Sequence, residues 1–242
     1  MAMMKKLFVF ICLFLSVFPG GFSVNAQEAQ PDAMQLMKRV RQAATLQEDK
    51  EVSGQIRRRG VKIPFTMVLQ GSVISFRYEL EKSKERFDLK FKEKGQEIDF
   101  YTGNKPAKLS VEKYAQPIAE TDVAYEDLSL RYLYWPNAKI IKDDDASVVK
   151  GRECWILLIP NPNRKVGQYA WVRLWIDKEN GAMWQLDGIN ADGKLAKRFL
   201  IDSVMKLKDG SWFFKRIKVE KRDPKNSHRT ISVSYIDMED PE

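Results

Sequence analysis

The sequence predicts a mainly β protein. One large, strongly curved antiparallel sheet carries a helix before it and a helical insertion near its middle. Three observations lead there. Apolar and polar residues alternate with a period of two through most of the chain after Glu51. The links between these runs are short and contain turn residues such as Gly71-Ser72 and Asn180-Gly181, so neighbouring strands run antiparallel. Two stretches instead show helical spacing, and their apolar faces need a surface that the concave side of a curved sheet supplies. Two packed sheets are the alternative.

The chain begins MAMMKKLFVFICLFLSVFPGGFSVNAQ. Lys5 and Lys6 precede an almost wholly apolar run, Leu7 to Phe18, and Val24-Asn25-Ala26 places small residues at −3 and −1 of a cleavage site. This is the pattern of a secretory signal peptide, residues 1–26, and the run is too short to span a bilayer comfortably. No small-residue cleavage motif precedes Cys12, which argues against a lipid-anchored N-terminus. Removing 26 of 242 residues leaves 216, a length that fits one domain over 27–242. The two lysines removed lower the net charge from +8 to +6, which suits an anionic membrane surface, an acidic partner or plain solubility. Only Cys154 remains, so no intramolecular disulfide forms and the core must supply the stability. No second apolar run is long enough to span a membrane, so a soluble, exported mature protein is expected, with nucleic acid excluded as a partner by that compartment.

The elements follow in order. Asp32 is placed to cap a helix over 32–46, with Met34, Met37, Val40 and Ala44 at helical spacing. After Glu51, the inward sets Ile63/Phe65/Met67/Leu69, Ile74/Phe76/Tyr78/Leu80, Phe87/Leu89/Phe91 and Ile98/Phe100 mark successive strands. Later strands run Cys154–Ile159, Tyr169–Asp177, Ala182–Ile189, Lys194–Lys206, Ser211–Lys221 and Arg229–Met238. Roughly eleven strands result, read by alternation and turn signals. The strand around Trp171 and Trp175 is apolar on both faces, so it must be covered on both or lie where the sheet curves most. The stretch TDVAYEDLSLRYLYWPN, residues 121–137, reads as one helix: Tyr125, Leu128, Tyr132 and Trp135 share a face, Thr121 or Asp122 caps it and Pro136 stops it. A helix so apolar must be mostly covered.

Catalysis finds little support. His228, the only histidine, lies in a polar turn, which rules out a His-based triad or a His-rich metal site. Cys154 opens an apolar strand and reads as a small buried hydrophobe. Asp143-Asp144-Asp145 lacks the alternating ligand spacing of a calcium loop. No enzyme activity, metal or cofactor is expected. The abundant Phe, Tyr, Trp and Met, including Met34, Met37, Met67 and Met205, can fill a core or line a cavity for an apolar ligand of variable shape.

Four stretches carry a family resemblance: Val52-Ser53-Gly54-Gln55 after the first helix; Thr121–Leu128, read as Thr-Asp-x-x-Tyr-x-Asp-Leu; Val149–Pro160 with its Gly-x-x-Cys; and Val172–Phe199, a Trp-x-Asp hairpin followed by Asp-x-Gly. On these the chain resembles the LolA-like proteins of the outer membrane lipoprotein-sorting type, over nearly all of its mature length. The resemblance implies an unclosed antiparallel β-barrel with helices covering its concave face. It also implies a periplasmic carrier holding acyl chains of lipoproteins or other lipids, with an inner-membrane transporter as donor and an outer-membrane acceptor. Sensor modules share the scaffold and are the alternative. On that scaffold Phe65, Met67, Phe76, Tyr78, Phe87, Phe91, Phe100 and Trp184 are expected to line the cavity. Tyr125, Leu128, Tyr132 and Trp135, with Met34 and Met37 of the first helix, are expected to form its lid. A monomer is expected.

Overall fold

Asp32 opens the first element in a computed structural model of the chain, which describes residues 31–45, 49–80, 83–93, 95–102, 105–142, 146–208, 210 and 212–239. The expected signal peptide and the Asp143-Asp144-Asp145 turn lie outside the described residues. The Oδ1 of Asp32 accepts the backbone N–H of Gln35 at 2.8 Å, capping α1 (Ala33–Thr45) as expected. The buried arc of α1 is Ala33, Leu36, Met37 and Val40, whereas Met34 is 39% exposed. Met34 sits ~100° round the helix from Ala33, just past the edge of that arc.

Two antiparallel meanders make the sheet. The first is β1 (Lys50–Arg58), β2 (Val61–Gln70), β3 (Val73–Leu80), β4 (Ser83–Lys92), β5 (Gly95–Thr102) and β6 (Lys105–Lys108). The connection that follows holds α2 (Val111–Tyr114), α3 (Tyr125–Ser129) and a 3₁₀ turn over Arg131–Tyr134. The second contains β7 (Lys139–Ile141), β8 (Val148–Val149), β9 (Arg152–Pro160), β10 (Trp171–Asp177), β11 (Met183–Ile189), β12 (Leu195–Lys206), β13 (Trp212–Arg222) and β14 (Thr230–Met238). The order across the sheet is 6-5-4-3-2-1-14-13-12-11-10-9-7, with β8 paired to β9 off the path. The sheet of 14 strands is not closed: β6 and β7 are its two ends.

The three strands beyond the expected eleven are β6, β7 and β8, of four, three and two residues. They are too short for alternation to register, and β6 and β7 are edges. Lys105-Pro106-Ala107-Lys108 is exposed throughout, and its proline and lysines blunt a free edge against pairing with another chain.

The first and last strands meet at the centre of the sheet, where Gly54 faces Met238, Ile56 faces Ile236 and Arg58 faces Ser234. A Cβ on Gly54 would stand 2.5 Å from the Asp237 carbonyl oxygen and 2.8 Å from the Phe65 ring. The glycine lets the two meanders close on each other.

The inward sets expected for β2–β5 are buried almost throughout, from Leu89 at 0% to Ile98 at 9%, with only Leu80 partly covered. They join residues of β1, β13 and β14 in one core cluster on the concave face. A second cluster gathers Leu157, Ile159, Val172, Leu174, Ile176 and Leu186 under α1 and the 3₁₀ turn. The other face of β9 and β10 is also covered: Val149, Cys154, Ile156 and Trp175 form a third cluster, and the Trp175 indole N–H donates to the Ala146 carbonyl at 2.8 Å. The two-faced apolarity of β10 is thereby explained. Burial pushes the Cys154 thiol up to about 11, in keeping with a small hydrophobe. His228 is exposed, in the turn between β13 and β14.

The segment 121–135 is not one helix. Leu130 takes a left-handed conformation (φ 52°) and splits it into α3 and the 3₁₀ turn. Neither Thr121 nor Asp122 caps α3; the Asp127 carboxylate does so from inside, accepting the Ala124 N–H at 2.7 Å. The break re-aims the chain so that Tyr125 enters the first core cluster and Tyr132, Leu133 and Trp135 enter the second.

At the β1–β14 seam, Gly54→Ala forces the meanders apart. A loss of about 1–3 kcal/mol is expected in urea unfolding followed by circular dichroism, as for other overpacked sites. The equally exchanged but uncrowded Gly95→Ala, with no atom within 4 Å of its added Cβ, serves as the control.

Candidate functional site

Segment 121–135 is tied down by one polar residue after another, to β14, to β4, to β12 and to the β9–β10 connection. The Asp122 carboxylate accepts the hydroxyls of Ser232 at 2.6 Å and Ser234 at 2.9 Å on β14. The Tyr125 hydroxyl donates to Glu85 on β4 at 2.6 Å. Asp127, with a fully buried side chain, receives Lys197 Nζ of β12 at 2.7 Å and the Tyr169 hydroxyl at 2.5 Å, besides the Ala124 N–H. A buried carboxylate with three donors, one of them cationic, is fully compensated. Glu126, 1% exposed, accepts the Gln168 N–H at 2.5 Å and lies 3.3 Å from Arg131, which in turn donates to the Val166 carbonyl. Two glycines make room for this clasp. A Cβ on Gly188 would meet the Tyr169 ring at 2.2 Å, and one on Gly167 (φ +84°) would meet the Glu126 carboxyl at 2.1 Å.

Beside the clasp lies an apolar cavity of about 600 Å³. Its walls are Met67, Leu69, Ile74 and Phe76 of β2 and β3, Met183, Trp184 and Leu186 of β11, and Phe199, Ile201, Phe213, Ile217, Ile236 and Met238 of β12–β14. Its roof is Val40 of α1 with Leu128, Leu130, Tyr132 and Leu133. Asp127 and Tyr169 show at its inner end, and Asn180, Ala182, Val204 and Trp212, all exposed, rim its mouth. The volume and lining suit a drug-sized or acyl ligand. α1 is held over the roof by Arg41, which donates to the Leu133 carbonyl and lies 5.1 Å from the Tyr134 ring.

The residues expected to line a cavity divide into two groups. Met67, Phe76 and Trp184 line this one. Phe65, Tyr78, Phe87 and Phe100 instead pack together with Tyr125: Phe87 stacks on Phe76 at 4.9 Å and Phe100 meets Tyr125 edge-on at 5.7 Å. Phe91 stacks on Tyr134 at 6.1 Å. Of the lid set, Leu128 and Tyr132 face the cavity; Tyr125 anchors in the aromatic cluster; Met37 is fully buried beneath α1; Met34 is exposed. Trp135 faces a smaller pocket of about 310 Å³, where Arg131 lies 5.0 Å from the Tyr114 ring and 5.2 Å from its own.

Several site residues escaped the sequence reading. Lys197 carried a signal: it falls in phase with Leu195, Phe199 and Ile201, a lone cation on an inward face. Phe199, Ile201, Ile217 and Ile236 were legible as inward residues, but nothing in their spacing separates a wall with space before it from one packed solid. Among the described residues no three His, Cys, Asp or Glu side chains gather closely enough to hold a metal, and no helix is long and apolar enough to cross a membrane.

Lys197→Ala strands the Asp127 carboxylate in the core, and urea unfolding should register a loss of about 3–5 kcal/mol, much of it recovered in Lys197→Met/Asp127→Leu. Burial also pushes the Glu126 carboxyl up to about 7, against the pull of the Gln168 N–H and Arg131. Its unfolded value is 4.5, so the folded state holds a proton that the unfolded state has lost between the two. Its stabilising effect is complete below the lower value and lost as pH rises through the upper one. The urea midpoint should therefore fall between about pH 5 and about pH 8 by more in the wild type than in Glu126→Gln.

Comparison with known proteins agrees with this architecture. A family model described as "Uncharacterized protein" matches residues 90–241. No curated protein matches the chain significantly. Among solved structures the chain is similar to a putative outer membrane lipoprotein-sorting protein domain from Vibrio parahaemolyticus, at 13% identity and TM-score 0.66 over 86% of this chain and 90% of that one. It is similar to a DUF1329 family protein from Desulfovibrio piger, at 17% identity and TM-score 0.63 over 86% and 90%. A LolA superfamily protein from Nitrosomonas europaea follows, at 14% identity and TM-score 0.62 over 87% and 93%. The family model spans well over half of the residues, so the chain belongs to the family that it describes, and these solved structures share its fold.

Proposed function

We propose that residues 27–242, released from a signal peptide at 1–26, form a periplasmic carrier that binds acyl chains of lipoproteins or other lipids for transfer towards the outer membrane. The observation that carries this reading is the apolar cavity of about 600 Å³ between the sheet and the roof of α1 and segment 121–135. The scaffold's likeness to proteins described as lipoprotein-sorting adds support. An inner-membrane transporter as donor and an outer-membrane acceptor complete the proposal, and the chemistry asks nothing of a catalytic group.

The energetics suit a carrier. Each methylene taken from water contributes about 0.8 kcal/mol, so affinity is set by the length of chain that fits. Methionine and aliphatic walls tolerate varied chain shapes. Release requires the roof to move, and Leu128, Leu130 and Tyr132 are the groups that would part from a bound chain. Tyr132 is also core, so its removal tests folding and binding at once. Met183, half-buried on the β11 wall, is the cleaner probe.

The expected result is co-purifying lipid in native mass spectrometry of the mature protein. In displacement assays with a fluorescent fatty acid, shortening the competitor by two carbons should weaken binding about fifteenfold while the cavity still holds the whole chain. Met183→Trp, which narrows the cavity from a half-buried position, should weaken binding while the far-ultraviolet spectrum and melting temperature hold. A protein that carries no lipid, ignores chain length and instead binds one protein partner tightly would be a sensor on the same scaffold.

A further inference from the structure

The end of the β12–β13 hairpin holds two exposed large hydrophobic side chains, one of them the most exposed among the described residues. Trp212 is 67% exposed and Val204 40% exposed. Both also line the cavity, so they stand at its mouth. The register explains how. Val204 faces Phe214 and Lys206 faces Trp212, which puts these four on one side of the hairpin; Met205 and Phe213, their neighbours, are buried in the core on the other. β12 carries register shifts at Ile201/Ser203 and Ser203/Val204, and such bulges twist and re-aim a hairpin end. Lys206 and Lys208 are exposed beside Trp212.

An indole flanked by lysines on an exposed tip combines two membrane-interface signals. Tryptophan settles at headgroup depth, its ring apolar and its N–H wet. Each lysine near an anionic surface adds electrostatic attraction. The net charge of +8, falling to +6 without residues 1–26, favours the same surface. Acidic groups on the neighbouring strands are paired: Asp177 with Arg152 at 2.9 Å, Asp202 with Lys150 at 3.0 Å and Glu153 with Lys178 at 3.2 Å. Asp209, which follows Lys208 in the sequence, offsets one of the two lysines of the hairpin end. Glu179 is exposed in the β10–β11 turn.

We propose that the β12–β13 hairpin end, through Trp212, Val204, Lys206 and Lys208, docks the cavity mouth on an anionic phospholipid bilayer. Docked this way, the mouth opens against the hydrocarbon and an acyl chain passes between bilayer and cavity without crossing water. The docking rests on the carrier reading for its purpose, but its test does not depend on cavity occupancy.

The test is flotation of the mature protein with vesicles of phosphatidylethanolamine and phosphatidylglycerol, against vesicles of phosphatidylcholine alone. Wild type should bind the anionic vesicles and lose them in high salt. Trp212→Ala should weaken binding about tenfold or more, with Trp212→Phe in between. Lys206→Gln/Lys208→Gln should weaken it about thirtyfold and remove the preference for phosphatidylglycerol. Because these side chains are exposed, melting temperatures should match wild type, and that match validates the comparison. Wild type that ignores vesicles, or Trp212→Ala that binds like wild type, overturns the proposal and leaves the patch to a protein partner. Lipid content by mass spectrometry separates the two readings. Vesicle binding by a protein that never carries lipid overturns the carrier and keeps the docking; lipid-loaded protein that ignores vesicles does the reverse.

Discussion

The buried carboxylate of Asp127 holds the concave side of this protein together. It lies on the inner turn of α3 and draws in a backbone amide of its own helix start, the Tyr169 hydroxyl and the Lys197 ammonium. A charge taken so far from water is tolerable only when a cation and further hydrogen-bond donors compensate it. That requirement fixes three elements at once: the start of α3, the end of the β9–β10 connection and the start of β12. Hydrophobic contacts alone would let a short, greasy segment slide over a greasy sheet. The polar anchors at Asp122, Tyr125, Glu126 and Asp127 give it one register, since each finds its partner on a different part of the sheet. Gly167 and Gly188 belong to the same device, because neither Glu126 nor Tyr169 could reach its place past a Cβ.

The two halves of the concave face are filled differently, and this decides where space remains. In the first meander, rings fill the volume: Phe76, Phe87, Phe100 and Tyr125 meet at centroid distances of 4.9 to 6.2 Å. Aromatic contacts of that kind close-pack into a rigid wall. In the second meander most facing residues are aliphatic or half-buried, and the roof above them is Val40 of α1, Leu128, Leu130 and the 3₁₀ turn. Leu130, in its left-handed conformation, sits at the boundary. It swings the chain from the solid half to the hollow half, so the bend that divides α3 from the 3₁₀ turn also sets one end of the cavity.

Much of this was legible in the sequence. Alternation at Ile63/Phe65/Met67/Leu69 and its successors fixed the inward faces of β2 to β5, because a one-residue slip would send every one of them to solvent. The stretch 121–135 stood out as apolar for the same reason. Its break at Leu130 was not readable, since a left-handed leucine is imposed by tertiary contacts and disfavoured by the residue itself. The edge strands β6 to β8 were missed because pairing, with no local pattern, makes them strands. The division of the aromatics into a packed cluster and a cavity wall depends on sheet curvature, which alternation does not encode. Lys197 was readable in principle: a lysine in phase with Leu195, Phe199 and Ile201 asks for a buried anion, and Asp127 is one of three acids, with Asp122 and Glu126, that segment 121–135 carries inward.

The seam between β1 and β14 has a consequence for how the molecule comes into being. Gly54 and Met238 pair across almost the whole length of the folded chain, and joining such distant strands is the slow step of a fold rich in non-local contacts. A polypeptide that emerges N-terminus first, from a ribosome or through a membrane pore, exposes the open edge of β1 until β14 follows. An unpaired edge of that kind invites aggregation. The nine residues of β14 therefore act as a keystone: the two meanders become one sheet only once that strand lies between β1 and β13.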